Sequence, residues 1–516
     1  MNFKFIFSFL SLLLVCCDLS ARENTPAKIR ALYNSLDPNS IAECLAFYQL
    51  YPKTQEGKRA LEDAWQLLNK NGRIQKTQIS SLPNINMAIN ALVALINKQP
   101  NEETPRLSQE ELALVDRLCS HLGNRSLKGY QAKSEREIIE LNPNEIDLAR
   151  GLFISQLGDG PDAIVQMQSY EALLDLMALQ ILTQLPSGAT HEQIIRSINH
   201  FVFNEMGYRF PPHSLYAKDI DVYTFLPSVL DSRRGVCLGV SILYLCLAQR
   251  LNLPLEMITP LGHIYVRYHH DDKIINIETT ARGVDIESEE YLSIDTKKLQ
   301  QRDLKEVIGF AHINQASVYL QQEEYDKSLA AYLKALPFLP KDMLLKELLG
   351  FNFLFVGDID KGKKLLEEVR DYLPDYAVSK DSMAEDYLTG KADEKAIKAI
   401  FMHVDETRES VIKKRDALEQ ALQKFPTFRA GILNLATTWL QLHREREALE
   451  LLERYNEIDS NDPSANYYMT VLYAERMNYN KAWQHLKQTE KIVFLREHHP
   501  KALKVLRQQL ALLSPE

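Results

Sequence analysis

The stretches RRGVCLGVSILYLCLAQRL (233–251) and LGHIYVRYHHDDKIINIETT (261–280) decide the fold of the middle of this chain. The first is apolar over several helical turns, which predicts a buried helix. In the second, apolar and polar residues alternate on either side of the polar turn HHDD, which predicts a β-hairpin. A helix followed by a hairpin indicates an α+β domain, and the sequence predicts its bounds as 145–293.

Three side chains in these stretches have the residue types of a thiol-based active site. Cys237 falls in the first turn of the predicted helix, where unpaired N–H groups favour a thiolate. His263 begins the first predicted strand and supplies a base. If the hairpin turns about the middle of HHDD, Glu278 faces His263 and fixes its tautomer. A register slip of two residues would place Asn276 there instead, so Asn276 is the second candidate orienter.

Other residues have weaker claims to a chemical role. The main-chain N–H of Cys237 is a candidate oxyanion donor, and Tyr223 and Asn204 are side-chain candidates. No metal or cofactor is predicted, because adjacent residues of the HHDD turn diverge and no Walker-type glycine loop, HExxH or paired CxxC is present. The remaining cysteines outside the amino-terminal segment lie in apolar helical patterns and are predicted to be core residues: Cys44, Cys119 and Cys246.

The carboxyl-terminal part of the chain repeats itself. Residues of matching character recur 34 positions apart: Ala316 and Gly350, Tyr319 and Phe353, Pro340 and Pro374, Ala448 and Ala482. This period resembles the tetratricopeptide family, whose helix pairs stack into an α-solenoid with a concave groove. The sequence predicts two units over 300–376, an irregular helical connector over 377–410, and two or more units over 411–516. The resemblance implies a protein or peptide partner in the groove.

The central stretches also resemble the transglutaminase-like superfamily, a cysteine-protease-type core with a papain-type order of Cys, His and acid. The upstream segments IDLARGLFISQL and FNEMGYRF…FLPSVLDSRRG resemble the bacterial subfamily that joins such a domain to tetratricopeptide repeats. The resemblance implies that Cys237 is the nucleophile, His263 the base and Glu278 the third member. The family usually has Asp at the third position, often before Pro, and members of this subfamily often lack the cysteine.

The amino terminus has the pattern expected of a secretory signal peptide. An apolar run over 5–15 precedes the plausible cleavage site LSA, which predicts a signal peptide over 1–21 and a helical region over 22–142. The chain is therefore expected to cross the inner membrane and to be periplasmic, envelope-associated or secreted. A membrane tether is expected only if Cys16 or Cys17 is lipidated, and the residue before the first of them is not small.

Composition fits a soluble protein of several domains. The chain has 516 residues, 45% of them hydrophobic and 25% charged, which argues against disorder and against a multi-span membrane protein. A net charge of −9 gives no reason to expect nucleic acid as partner.

The predicted fold is mostly α with one α+β domain. The predicted function is thiol-dependent amide hydrolysis or acyl transfer on a protein or peptide; the alternative is a non-catalytic scaffold of the same fold for protein–protein interaction in the cell envelope.

Overall fold

The described part of the chain is mostly helical and contains a small antiparallel sheet, so the predicted fold class is confirmed. A computed structural model describes residues 25–68, 92–95, 97–211, 222–271, 273–405 and 407–516. The predicted signal peptide, with Cys16 and Cys17, lies outside these residues. Within them, no helix has both the length and the apolar character needed to cross a membrane.

The chain divides into two compact units. The first comprises the described residues among 1–99, together with 107–120 and 176–187. Its described helices are Pro26–Asn34, Ile41–Leu50, Gln55–Leu68, Gln109–Leu118 and the last turns of Pro161–Gln184. The main-chain N–H of Ile41 donates to Gln180 Oε1 at 2.9 Å, so that last helix is tied to the rest of the unit.

The second unit comprises residues 100–106, 121–175 and 188–516. Its amino-terminal half is a mixture of helices and short turns. The α-helices are Glu135–Glu140, Leu148–Leu157, the first turns of Pro161–Gln184, His191–Asn199, Leu226–Ser232 and Cys237–Arg250. A π-helical turn follows at His200–Glu205, and 3₁₀ turns lie at Gly123–Ser126, Lys128–Gln131, Pro143–Glu145, Val222–Thr224, Thr279–Ala281 and Ser288–Tyr291.

The central helix, Cys237–Arg250, begins at the cysteine, as the apolar pattern predicts. Every residue of it except Cys237 and Gln249 is buried, so neighbouring elements cover it on all sides. The one internal charge, Arg250, is neutralised because its Nε lies 2.7 Å from Asp175 Oδ1. This helix is the core of the α+β domain, and its first residue is left partly accessible.

The sheet contains four strands: β1 (Glu256–Thr259), β2 (Tyr265–His270), β3 (Lys273–Ile277) and β4 (Gln300–Arg302). Their order is β3-β2-β1-β4, and all neighbours are antiparallel. Strands β1 and β4 were not predicted, since four and three residues are too few to show alternation. Strand β4 lies within the span that the sequence assigns to the repeats.

The predicted hairpin register is wrong. Asn276 pairs with Arg267, and His270 pairs with Lys273, so the turn lies one residue further along the chain than predicted. Asp271 takes a left-handed conformation with φ of 51°, which lets the chain reverse within this tight turn. His263 also precedes β2 rather than beginning it.

The carboxyl-terminal half is a succession of packed helices. They are Leu304–Gln321, Tyr325–Ala335, Met343–Phe355, Ile359–Val369, Met383–Leu388, Glu394–Phe401, Arg408–Lys424, Arg429–Gln441, Glu445–Ile458, Pro463–Glu475, Tyr479–Leu495 and Lys501–Leu513. The 34-residue spacing is visible in the helix starts at 429 and 463, and again at 445 and 479. The helices of the predicted connector continue the series, because Glu394–Phe401 packs on Arg408–Lys424.

Small residues allow these helices to approach closely. A Cβ added to Gly362 would lie 2.4 Å from Leu354 Cδ2, and one added to Gly350 would lie 2.9 Å from Leu366 Cδ2. These are the positions at which the repeat pattern requires small residues.

A single helix, Leu304–Gln321, joins the α+β domain to the repeats. It packs on Leu148–Leu157 on one side and on Tyr325–Ala335 on the other. His312 Nε2 lies 2.6 Å from Ser155 Oγ, which adds a polar contact at the domain side. We call Leu304–Gln321 the junction helix.

Gly239 is required by a close main-chain approach. A Cβ there would lie 2.3 Å from the carbonyl oxygen of Tyr223, so Gly239→Ala is expected to destabilise the α+β domain by about 1–3 kcal/mol. Hydrogen exchange of the central helix amides measures this loss. Gly160→Ala, where a Cβ meets nothing within 4 Å, is the control and should change stability by less than about 0.5 kcal/mol. Equal protection in the two variants would contradict this account.

Candidate active site

Cys237 occupies the first position of the central helix. The preceding residue, Val236, has an extended backbone and provides no side-chain cap, so the N–H groups of the first turn are not taken by that residue. Such groups stabilise negative charge at a helix start. The Cys237 side chain is neither fully buried nor fully exposed, in contrast to Cys246 within the same helix. Burial raises the pKa of Cys246, which suits an inert core thiol.

His263 follows a tight turn that directs it back toward the helix. Its main-chain N–H donates to the carbonyl of Pro260 at 3.2 Å, and Gly262 has the left-handed φ of 71° that this turn requires. The imidazole Nε2 lies 2.7 Å from Glu278 Oε2. Cys237 is the other side chain that acts on His263, since its hydrogen bond is the first cause of the raised imidazole pKa.

Glu278 is buried, with 4% of its side chain exposed, and both of its oxygens are occupied. Oε1 accepts hydrogen bonds from the main-chain N–H and the hydroxyl of Thr280 at 3.1 and 2.5 Å. Oε2 accepts from the Tyr291 hydroxyl at 2.7 Å, in addition to the His263 contact. A carboxylate with this many donors can stay ionised in spite of its burial.

The pKa of Glu278 is lowered and that of His263 is raised. Burial tends to raise the pKa of Glu278, but the hydrogen bonds from His263, Thr280 and Tyr291 outweigh it and lower this pKa to about 2. The hydrogen bond with Cys237, followed by that with Glu278, raises the pKa of His263 to about 10. At neutral pH the pair is therefore a carboxylate and an imidazolium.

Tyr291 was not identified from the sequence. Its ring stacks on His263 with centroids 5.8 Å apart and on Tyr265 with centroids 4.5 Å apart. Burial and the contact with Glu278 raise the pKa of Tyr291, so the phenol stays protonated and remains a donor. It lies in a 3₁₀ turn, which has no hydrophobic period. The only signal in the sequence is an aromatic residue within an acidic loop.

The turn that carries Glu278 is fixed to the central helix. Thr279 Oγ1 lies 3.0 Å from Ser241 Oγ and donates to the carbonyl of Cys237 at 3.5 Å. Asn199, at the end of its helix just before the π-helical turn, accepts a hydrogen bond from Tyr244 at 2.8 Å and donates to the carbonyl of Gly283 at 3.2 Å. These contacts set the distance between the nucleophile candidate and the carboxylate.

The other sequence candidates lie elsewhere or have other partners. Asn276 Oδ1 accepts from Arg267 Nε at 3.0 Å, and its Nδ2 donates to the Ile286 carbonyl at 2.6 Å, so Asn276 does not orient His263. Asn204 is exposed and lies 3.2 Å from His200 Nδ1. The carbonyl of Tyr223 accepts from the Val236 N–H at 3.1 Å, which places the Tyr223 main chain beside the helix start.

Residues 168–309 match the family model of the transglutaminase-like superfamily. They form a transglutaminase-like domain, as the resemblance implies. Nothing among curated proteins matches the chain.

Similar solved structures include TTC0263, described as a thermophilic TPR protein in Thermus thermophilus, at 16% identity and a TM-score of 0.20, covering 40% of this chain and 98% of that one. YrrB, described as a TPR protein with an unusual peptide-binding site, has 16% identity and a TM-score of 0.21 and covers 39% and 92%. Pseudomonas aeruginosa pilF has 16% identity and a TM-score of 0.22 and covers 40% and 83%.

Tyr291→Phe removes one donor from Glu278 and keeps the ring beside His263. The pKa of Glu278 should rise by roughly one unit, because a hydrogen bond to a charged group contributes about 1.5 kcal/mol or more. The acid limb of Cys237 alkylation by iodoacetamide is then expected to move to higher pH.

Tyr387→Phe is the matched control, since it removes a Tyr–Glu hydrogen bond of 2.8 Å to Glu394 within the repeats. It should leave the Cys237 profile unchanged. Identical profiles for Tyr291→Phe and the native protein would show that this hydroxyl does not influence the site.

Proposed function

We propose that the transglutaminase-like domain catalyses thiol-dependent acyl transfer on an amide of a protein or peptide. The proposal is supported by one observation above all: the His263 imidazole lies 2.7 Å from the Glu278 carboxylate, and its pKa is raised first by Cys237, which begins a helix. Nucleophile, base and orienter in this order are the arrangement that thiol acyl transfer requires.

The steps follow from the charges of the three groups. The imidazolium of His263 stabilises the Cys237 thiolate, which attacks the amide carbonyl carbon and forms a C–S bond. First-turn N–H groups, including that of Cys237 itself, would donate to the oxyanion. His263 gives its proton to the amine nitrogen as the C–N bond breaks, which leaves a thioester on Cys237.

The second half-reaction restores the enzyme. His263, now neutral, removes a proton from water or from an incoming amine, whose oxygen or nitrogen attacks the thioester. The C–S bond breaks and Cys237 leaves as the thiolate. Water yields a carboxylate, hence peptidase or amidase activity, and an amine yields a new amide, hence transamidation. Glu278 keeps its negative charge throughout and holds the imidazole in orientation.

We further propose that the repeats recruit the protein substrate or partner. A cavity of about 450 Å³ opens among the helices that surround Glu394–Phe401. Its charged lining includes Glu323 and Asp393 beside three lysines, and Lys424 Nζ donates to Asp393 Oδ2 at 2.7 Å. The aromatic rings and lysines of the lining are Tyr325, Phe355, Phe401, Phe425, Lys395, Lys398 and Lys424. Lys398 Nζ lies 4.0 Å from the centre of the Tyr325 ring, which holds that cation at the wall of the cavity. Such a lining suits a peptide with apolar and acidic side chains.

We also propose export across the inner membrane, on the basis of the apolar run at residues 5–15. Fractionation of cells that express the full chain should place it in the periplasm or envelope, or in the medium.

An acyl-enzyme can be trapped with p-nitrophenyl acetate. The native protein should release a burst of p-nitrophenolate and carry a transient acetyl group on Cys237, located by peptide mass spectrometry. Cys237→Ser should give no burst. Release of nitrophenolate without an adduct on Cys237, or a stable adduct that is never hydrolysed, would favour the non-catalytic scaffold.

The state of the thiol can be tested with iodoacetamide at pH 6, where an ordinary thiol is almost wholly protonated. Cys237 should be alkylated there, and His263→Asn should slow this about tenfold or more because the neighbouring cation is lost. His443→Asn, at an exposed histidine of the repeats, is the matched control and should label at the native rate. If Cys237 labels no faster than the buried Cys44, the enzymatic proposal is wrong.

A further inference from the structure

Three arginines lie on the segments that adjoin Cys237 and Glu278. Arg209 and Arg234 pair with each other across an isolated parallel β-bridge, and Arg234 is three residues before Cys237. The Gly235 N–H donates to the carbonyl of Arg209 at 3.2 Å, which completes this bridge. Residues paired across a bridge point to the same face, and the two backbone segments lie about 4.8 Å apart. The two guanidinium groups therefore start from the same side of the bridge.

Arg282 lies on the segment that carries Glu278. It follows the 3₁₀ turn Thr279–Ala281 and takes a left-handed φ of 60°. The same turn is fixed to the start of the central helix by Thr279, which contacts the Cys237 carbonyl. The Arg282 side chain is exposed. All three cations therefore come from segments within a few residues of the candidate site.

Arg209 lies within electrostatic reach of the other two arginines. Partial burial lowers the pKa of Arg209, and the neighbouring charges of Arg282 and Arg234 lower it further. Arg209 Nη1 is held by the carbonyls of Phe203 and Tyr208 at 2.5 and 2.7 Å, so its guanidinium is fixed in place. Although the chain as a whole has a net charge of −9, a local cluster of positive charges attracts an anion to its own surface.

We propose that Arg209, Arg234 and Arg282 select an acidic peptide segment as the substrate of the Cys237 site. This inference rests on the proposed function and specifies its substrate class. The planar guanidinium group binds a carboxylate through two parallel hydrogen bonds, which a lysine cannot do. Asp or Glu side chains near the reacting amide would thus be held beside the thiol.

The first test compares a charged and a neutral reagent on the full-length protein. The ratio of the rates at which iodoacetate and iodoacetamide alkylate Cys237 should fall roughly threefold to tenfold in Arg234→Gln/Arg282→Gln. His263 is present in both proteins, so its own attraction for iodoacetate cancels. The difference in this rate ratio between the native protein and the double variant should shrink in 1 M salt, where the screening length falls to about 3 Å.

The control is Arg446→Gln/Arg476→Gln, at two exposed arginines of the repeats. It should keep the native ratio. If iodoacetamide labels Cys237 rapidly but the ratio is the same in both double variants, the arginine cluster does not act on the site, and the proposed function stands. If iodoacetamide fails to label native Cys237, the proposed function itself is wrong.

The second test uses two peptide chloromethyl ketones that differ only by Glu in place of Gln next to the reactive group. The Glu peptide should inactivate the native protein several-fold faster, and Arg234→Gln/Arg282→Gln should remove this preference. Equal rates for the two peptides on the native protein would overturn the assignment of an acidic peptide, even if iodoacetate responds to the arginines.

Discussion

The buried carboxylate of Glu278 is the group on which the geometry of the candidate site depends. An ionised carboxylate at this depth is stable only when donors fill its oxygens, and here Thr280, Tyr291 and His263 supply them. The hydrogen bond with Cys237 and that with this carboxylate together raise the pKa of His263 and keep it cationic. The buried anion therefore acts on the partly accessible cysteine indirectly, by stabilising the imidazolium between them.

The main chain around Glu278 explains why this arrangement is rigid. The Glu278 N–H donates to the Val284 carbonyl at 3.0 Å, and the Gly283 N–H donates to the Glu278 carbonyl at 2.8 Å. Gly283 has a φ of 80°, and a Cβ there would lie 2.4 Å from Asn199 Oδ1, so a glycine is needed. The turn is thus clamped between its own hydrogen bonds and the central helix, and the site does not depend on β-hairpin register alone.

The start of the central helix could be predicted from the sequence, because an uninterrupted apolar run after a turn allows few alternatives. The pairing of His263 with Glu278 was anticipated through a register that proved wrong. Continuing the observed pairing by one residue places Glu278 level with Tyr265, so it lies diagonal to His263. Diagonal neighbours are about 7–8 Å apart, and the extra methylene of a glutamate helps to span that separation. This gives a physical reason for Glu at a position where the family that the sequence resembles usually has Asp.

Tyr291 and the short strands β1 and β4 could not be predicted, since they are placed by tertiary contacts and have no period of their own.

The junction helix decides how the repeats and the transglutaminase-like domain are connected. It is a continuous helix of 18 residues rather than a flexible linker, and both halves pack on it. Its Lys305 donates to the Ile139 carbonyl at 2.8 Å, and a Cβ on Gly151 would lie 2.6 Å from Ile308 Cδ1, so the contact is close as well as polar. A ligand held by the repeats would consequently be presented to the thiol at a fixed distance. Only ligands whose reactive amide lies at this distance from the part bound by the repeats would gain from the raised local concentration at the thiol. The junction helix would then contribute to specificity as well as to affinity.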